Sequence, residues 1–395
     1  MEARFFHIDV NSAFLSWSAV KALDEGSDVD LRQVPSIVGG DQSTRHGIVT
    51  AASIPAKQYG IKTAEPVASA FKKCPNLIVV PADFEYYRMK SHQMMDYLRS
   101  QCSVLEQASI DECYLDYTCI ADQYSSPMEA AATFKDYIHT HFGFTVNVGI
   151  SDVKVLAKMA SDFTKPDRIH TLYSNEIQEK MWPLPIGDLF MCGKSAASRL
   201  YSMGIRTIGD LAVFDPSLIS SLLKSHGTLL WEFANGIDNS QVIPVRDRAK
   251  GVGNSTTLAQ DLTDAASAHR VIKELCQSVS RRLKKDNFLA GSVCVEIKYS
   301  DFVSVSHQGP IDPVTADLNQ LYSTALALFD ELWNGDPIRL LGVRTTKLAD
   351  ADEPVQLDLF SYMDQLETDK KHRDANAAME ALRNKFGNDS IGKGL

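Results

Sequence analysis

VLEQASIDECYLDY, residues 104–117, is the stretch on which the reading of the fold turns. Its apolar positions and the break near Ala108-Ser109 describe two short strands meeting at a turn, with Asp111 and Glu112 side by side just past the break. Neighbouring side chains on a strand point to opposite faces, so the two acids can serve one site only if the backbone turns there. Taken alone, Ser109-Ile110-Asp111-Glu112 reads as a solvated turn.

Working outward, ARFFHIDV (3–10) reads as a buried strand ending in a polar corner, Asp9-Val10-Asn11-Ser12, followed by a helix to about Leu23. Residues 25–76 are mixed and rich in Gly and Pro, as a small insertion would be. Leu77 to Val80 reads as a strand and Asp83 to Arg99 as a helix. Pro127 to Phe142 is helical, Thr145 to Ile150 a strand, and Ser151 the N-cap of a helix through Ser161. Strand, helix, two strands, helix, strand is the split-βαβ arrangement, expected as an antiparallel sheet with helices on one face. Residues 171–241 are helical, with short hairpins at Met191 to Lys194 and Ser202 to Ile205. A polar stretch from Gln241 to Gly251 reads as a linker. Beyond it, strand-like VCVEIKY (293–299) and LLGVRTTKL (340–348) alternate with helices at Ala265 to Lys285 and Asp317 to Trp333. The expected class is α+β with several domains.

Composition sets the outer bounds. A chain of 395 residues, 44% hydrophobic and 23% charged, is an ordinary globular sequence long enough for two to four domains. No apolar run approaches membrane-spanning length and the N-terminus lacks a signal pattern, so a cytoplasmic location is expected. The seven cysteines form no CxxC pair, which argues against a disulfide framework or a zinc ribbon. A net charge of −10 speaks against nucleic acid at the level of the whole chain. Any phosphate-binding face has to be local.

Asp9 changes the weight of the Asp111-Glu112 pair, because it ends a neighbouring strand of the same expected sheet. Three carboxylates converging in a cleft repel one another unless cations bind, and hard oxygen donors suit Mg²⁺. Two such ions clamp the attacking and leaving oxygens of an in-line phosphoryl displacement. Lys154 and Lys158, four apart on the helix after Ser151, share a face that could meet a triphosphate, and Lys57 is a further candidate. Each lysine alone also fits a solvated surface charge.

At this point the residues match a known pattern. HIDVNSAF (7–14), GIVTAASIPAKQYGIKTAEP (47–66), ASIDECYLD (108–116), VGISDVKVLAKMASDFTKPD (148–167) and GKSAASRLYSMGIRTIGDLA (193–212) follow one another in family order. The chain resembles Y-family translesion DNA polymerases, above all the bacterial DNA polymerase IV group, with features like the catalytic subunit of DNA polymerase V. The resemblance implies a split-βαβ palm (1–20 and 77–170), a helical fingers insertion (21–76), a helical helix-hairpin-helix thumb (171–241), a linker (242–250), an α+β little finger (251–348) and a C-terminal tail (349–395). It implies two Mg²⁺ ions, with Asp9, Val10, Asp111 and Glu112 at the metal positions and Asp9, Asp111 and Glu112 catalytic. It places Ser12, Ala13, Phe14, Ile54, Lys57 and Lys158 at the nucleotide.

Phe14 takes the position of the steric gate, where a ring under the sugar leaves no room for a 2′-hydroxyl. A core phenylalanine on an amphipathic helix is the plain alternative. Tyr87 matches a tyrosine near the sugar and primer end, and a core aromatic is again the alternative. DNA contacts are implied for Gly193 and Lys194 and for the basic run Arg281, Arg282, Lys284 and Lys285. QLDLF (356–360) resembles the pentapeptide that binds the bacterial sliding clamp, through Gln356, Leu357, Leu359 and Phe360. Residues 369–386 add an amphipathic helix of no assigned role.

The implied activity is template-directed, low-fidelity DNA synthesis from dNTP on primer-template DNA, by a monomer that does not use a membrane. The chain departs from the family at Ile54 and Lys57, where Tyr and Arg are usual, at Val153, where Asn is common, and at Met191-Cys192-Gly193, where Gly-x-Gly is usual. Ile removes a hydroxyl donor and Lys replaces a planar fork with a point charge. A non-catalytic scaffold that recruits a partner to the clamp is the alternative from another class, and such relatives are expected to lack the acids. A nucleotide cyclase explains neither the hairpins nor QLDLF.

Overall fold

The computed structural model describes residues 2–41, 47–245 and 248–352. The QLDLF motif and the helix expected at 369–386 lie outside the described residues. The chain divides into two compact units, Met1–Arg248 and Ala249–Leu395.

The first unit begins with β1 (Phe5–Val10), α1 (Ala13–Asp24), β2 (Ser36–Gly39), β3 (Val49–Ala52), α2 (Ile54–Gln58), α3 (Val67–Lys73) and β4 (Ile78–Val80). It continues through α4 (Phe84–Gln101), β5 (Leu105–Gln107), β6 (Glu112–Asp116), α5 (Pro127–Phe142), β7 (Val146–Ser151), α6 (Lys154–Ser161) and β8 (Ile169–Thr171). The helices α7 (Ile177–Lys180), α8 (Lys194–Ser202), α9 (Ile208–Ala212), α10 (Pro216–Leu223) and α11 (Ser225–Ala234) complete it.

The main sheet has the order β5-β6-β1-β7-β8. β1 is antiparallel to both β6 and β7, and β7 is parallel to β8, so the sheet is mixed where an antiparallel one was expected. Alternation along β1 divides its work. Phe6, Ile8 and Val10 enter a core with Met94, Met95 and Leu98 of α4 and Phe134 and Ile138 of α5. Phe5, His7 and Asp9 face the other way, where Phe5 packs on Ala157 of α6 and His7 meets Ser161. Helices thus cover both faces, correcting the one-face expectation, and every residue of β1 and β7 is buried as a result.

Two further details differ from the sequence reading. Leu77 to Val80, which the resemblance assigns to the palm, supplies β4, and β4 pairs in parallel with β2 in a separate sheet ordered β3-β2-β4, so the insertion expected to be helical carries β2 and β3 beside its short helices. Val153, not Ser151, precedes α6. Ser151 ends β7, where its Oγ accepts from Val153 N at 3.1 Å and donates to Leu172 O at 2.6 Å. The first-turn amide of Val155, which has no partner within the helix, donates instead to Asp238 Oδ2 at 3.0 Å. The chain after Asp238 stays on this unit: Val242 is buried beside Phe5 and Tyr114, Lys154 donates to Gln241 O, and Ile243 N donates to Glu106.

The second unit is β9 (Gly251–Leu262), α12 (Ala265–Lys285), β10 (Phe288–Tyr299), β11 (Ser304–Thr315), α13 (Leu318–Leu332) and β12 (Ile338–Asp350). Its strands form an antiparallel sheet ordered β11-β10-β12-β9, and α12 and α13 cover one face through Ile272, Val279, Leu321 and Phe329. The other face carries Gly253, Ser255 and Gly342 with Glu296 and Arg344, around a cavity of about 540 Å³.

Gly149 lets α6 lie directly on the main sheet. A Cβ there would stand 2.0 Å from Ala157 O and 2.5 Å from Ser161 N, both main-chain atoms that cannot swing aside. Gly149→Ala is expected to destabilise the fold by roughly 3 kcal/mol or more. Gly187→Ala, whose nearest contact is 3.8 Å away, should change stability by less than about 0.5 kcal/mol. Urea unfolding followed by tryptophan fluorescence compares the two. Equal midpoints would show that α6 is not seated as described.

Candidate active site

The corner after β1 is built by main-chain bonds that leave side chains free to project. Val10 N donates to Asp111 O at 3.0 Å and Asn11 N to Thr145 O at 3.0 Å, tying the corner to both neighbouring strands. Ser12 then adopts a left-handed conformation (φ 48°) and α1 begins. Asn11 fixes the other side, accepting from Thr145 Oγ1 and Asp167 N. Asp9 is the direct cross-strand partner of Glu112. Asp111 sits on the turn before β6, where Ala108 N and Ser109 N both donate to Glu112 O. The backbone therefore turns at the point the adjacent acids require.

Close carboxylates need positive charge nearby: two like charges 4 Å apart repel by about 4 kcal/mol at an effective dielectric of 20. Lysines supply it here. Lys158 Nζ lies 2.9 Å from Glu112 Oε2 and 3.2 Å from Asp162, and Lys165 bonds Asp9 and lies 2.9 Å from Asp162. Burial works against the charge on Lys158, but Asp162, Asp9 and Glu112 hold its pKa above the usual lysine value. Lys165 is held up in the same way, against burial, by Asp9 and Asp162. Burial raises the Asp111 carboxyl above its ordinary range, and Asp9 and Glu112 add to the rise while Ser109 opposes it. His7 beside it, and then Lys158, draw the Glu112 carboxyl down to about 2 against the cost of burial. The Lys158 contact is the firmer of the two, since His7 Nε2 stands 3.4 Å away and makes no formed hydrogen bond.

With its acids turned to lysines, the arrangement gathers no group of three acidic, histidine or cysteine side chains fit to hold a metal among the described residues. Its chemistry still fits a hard divalent cation. The donors are carboxylate oxygens on touching strands, they carry mutual repulsion, and the charges opposing it are lysine ammonium groups. Val10 can contribute only its carbonyl, because its side chain is in the core.

Asp9, Asp111 and Lys165 open into a cleft of about 1110 Å³, which Glu112 and Lys158 do not line. Asp9, Asp111, Ser12, Ala13, Phe14, Ile54, Lys57 and Lys165 line it. Lys57 Nζ donates to Ser12 Oγ at 3.0 Å, and burial together with the nearby Lys165 lowers its pKa. Ile54 is exposed at the cleft wall. Phe14 stacks on Tyr87 with ring centroids 4.9 Å apart and meets Phe84 edge-on. Tyr87 is fully buried with its hydroxyl 2.6 Å from Ser18 Oγ, so it backs Phe14 and does not face the cleft. The sequence reading placed Lys154 on the same face as Lys158. The structure turns Lys154 away to Glu106, over the Tyr114 ring.

Lys165, Asp162 and His7 were not singled out in the sequence. A helix that ends at Ser161 and is followed by Lys165-Pro166 marks a chain reversal. It brings Lys165 back to the strand ends. Elsewhere, Gly193 and exposed Lys194 begin α8, with Met191 in a left-handed conformation just before them. Arg281, Arg282, Lys284 and Lys285 are exposed on the last turns of α12.

Comparison with known proteins gives these features a family. Residues 8–162 match the impB/mucB/samB family and 249–359 its C-terminal domain. The chain is 44% identical to DNA polymerase IV of Clostridium acetobutylicum, over 99% of this chain and 97% of that one. It is 36% identical to DNA polymerase IV 1 of Bacillus subtilis, over 98% and 92%. The chain belongs to the DNA polymerase IV family. A chimeric Y-family DNA polymerase shares the fold at a TM-score of 0.77 and 22% identity, covering 88% of this chain and 99% of that one. The protein is a Y-family DNA-directed DNA polymerase of the translesion class, and its family depends on divalent metal. No helix among the described residues of the polymerase is long and apolar enough to cross a membrane.

The depressed Glu112 pKa has a testable sign. A carboxylate whose folded pKa lies below its unfolded value of 4.5 stabilises the fold above pH 4.5, and that contribution is lost as pH falls toward about 2. In metal-free buffer, the stability difference between wild-type polymerase and Glu112→Gln should therefore shrink as pH drops from 4.5 toward about 2. A difference constant over that range would mean that Lys158 and His7 do not hold the carboxylate.

Proposed function

We propose that Asp9, Asp111 and Glu112, with the Val10 carbonyl, hold two Mg²⁺ ions for nucleotidyl transfer from a dNTP to a primer 3′-hydroxyl. The observation that carries this reading is the cross-strand pairing of Asp9 with Glu112, with Asp111 on the adjoining turn at the mouth of the cleft. Such ions, when bound, lower the pKa of the attacking hydroxyl and stabilise the charge of the departing pyrophosphate. The protein's own part is to place the groups. Lys57 and Lys165, two ammonium groups in one cleft, suit the polyphosphate. Phe14, held from behind by Tyr87 and Trp17, fills the space a 2′-hydroxyl would need. Lys158 is better read as the counter-ion of Glu112 than as a nucleotide ligand.

The first unit would comprise palm, fingers and thumb, with the small β3-β2-β4 sheet belonging to the fingers. The second would be the little finger. Gly193 and Lys194 at the start of α8, and the cations of α12, suit contacts to DNA phosphates that position a duplex without reading its sequence. The enzyme would act on primer-template DNA as a cytoplasmic monomer, with QLDLF binding the sliding clamp and raising its effective concentration at the primer end.

Two experiments test this. Asp111→Asn should reduce Mg²⁺-dependent primer extension by more than about 100-fold, since even outer-shell changes at metal sites cost up to that. Its affinity for primer-template should stay at the wild-type level, and extension at the wild-type rate would remove the metal assignment. For the clamp, Leu359→Ala combined with Phe360→Ala should abolish clamp binding while clamp-free extension is unchanged. Clamp affinity that survives, or clamp-free activity that falls, would overturn that role.

A further inference from the structure

His7 stands in the middle of β1, fully buried, on the face turned toward α6. Its Nδ1 lies 2.7 Å from Ser161 Oγ, and its Nε2 lies 3.4 Å from Glu112 Oε2. The ring has little freedom: Tyr114, its cross-strand partner, packs against it with centroids 4.6 Å apart. On the other side the partner is Gly149, whose missing side chain brings Ser161 within reach. Nε2 nevertheless has no hydrogen-bond partner among the described residues. Leaving a buried polar nitrogen unpaired is costly, so the position calls for an explanation.

Counting protons supplies one. Ser161 has a single hydroxyl proton and two acceptors for it, Lys158 O at 2.8 Å and His7 Nδ1. If the proton goes to the carbonyl, Nδ1 must donate to Oγ, and the Nε2 of a neutral ring confronts the carboxylate as a bare lone pair. If the proton goes to Nδ1, Nε2 carries its own proton and aims it at Glu112 Oε2. The second arrangement exchanges a neutral hydrogen bond for one to an ionised acceptor, which is roughly twice as strong.

We propose that His7 is a positioning residue for Glu112: Ser161 selects its tautomer, and Nε2–H holds one carboxylate oxygen while the other stays turned toward the metal site. The proposal rests on the reading of Glu112 as a metal ligand. It gives Glu112 a fixed partner that remains when Lys158 withdraws, whereas Lys158 serves as the counter-ion that a metal replaces. Ligating carboxylates are commonly oriented by such an outer hydrogen bond.

The test uses the full-length polymerase bound to primer-template and a non-hydrolysable dNTP, with Mn²⁺ binding followed by electron paramagnetic resonance. His7→Leu, which fills the space without a donor, should weaken Mn²⁺ binding roughly 10-fold or more. His7→Gln, which keeps an N–H at similar reach, should recover most of that loss, and primer-template affinity should be the same in all three proteins. ¹⁵N resonances of the wild-type imidazole should report the Nε2–H tautomer, a measurement that stands even where His7→Leu fails to fold. Unchanged Mn²⁺ binding in His7→Leu, equal losses in the Leu and Gln variants, or an Nδ1–H tautomer would each overturn the proposal. Glu112→Gln separates the two levels. If it leaves Mn²⁺ binding intact, the ligand assignment itself fails; if it abolishes binding while His7→Leu does not, only the role of His7 falls.

Discussion

Three carboxylates at one junction of two strands cannot keep their charge without cations close by, and much of the first unit is arranged around that requirement. Hydrogen bonds from Val10 and Asn11 fix where the acids stand, so their repulsion cannot be relieved by moving the backbone. It is relieved by charge. α6 and the loop behind it bring Lys158 and Lys165 to the acids, and Asp162 stands between the two lysines and balances them. Lys158 and Lys165 thus offset the charge of acids that the main chain holds together.

The placement of α6 is the packing counterpart of this electrostatic constraint. All eight residues of α6 are buried, even its two lysines, because the sheet lies on one side and the core of α7–α11 on the other. Contact through Gly149 holds the helix at main-chain distance from β7. One short helix therefore serves the core and the site together: Val155, Leu156 and Met159 fill the helical core, while Lys158 and Ser161 reach the face of β1 that carries His7 and Asp9.

What could be read from the sequence follows from how local each signal is. Adjacent acids in an apolar segment, and an acid ending a strand, are anomalies visible within a few residues, so Asp9, Asp111 and Glu112 stood out. The strands around them and the long helices α4, α5, α12 and α13 followed from periodicity. β9 and β11 escaped because GVGNSTTLAQDL and SVSHQGPIDPVT are polar on one face and broken by Gly or Pro. The pairing of β4 with β2 was hidden because periodicity identifies a strand without naming its neighbour. Tyr87 illustrates the remaining limit: an aromatic on a helix has the same local signature in a core as at a site. His7 and Ser161, separated by 154 positions, carry no local mark of their contact.

The ion pairs of the site and the cations of α12 differ in one further respect. Side chains of Lys158, Glu112 and Asp9 are largely withdrawn from solvent, whereas Arg281, Lys284 and Lys285 stand in it. Dissolved salt screens exposed charges over about 8 Å at physiological ionic strength and reaches enclosed pairs much less. Ionic strength therefore acts on the two sets separately. It can loosen whatever anionic surface the outer cations meet while leaving the charge balance around the acids almost untouched, so affinity for a long polyanion and integrity of the acidic junction are independent variables in this fold.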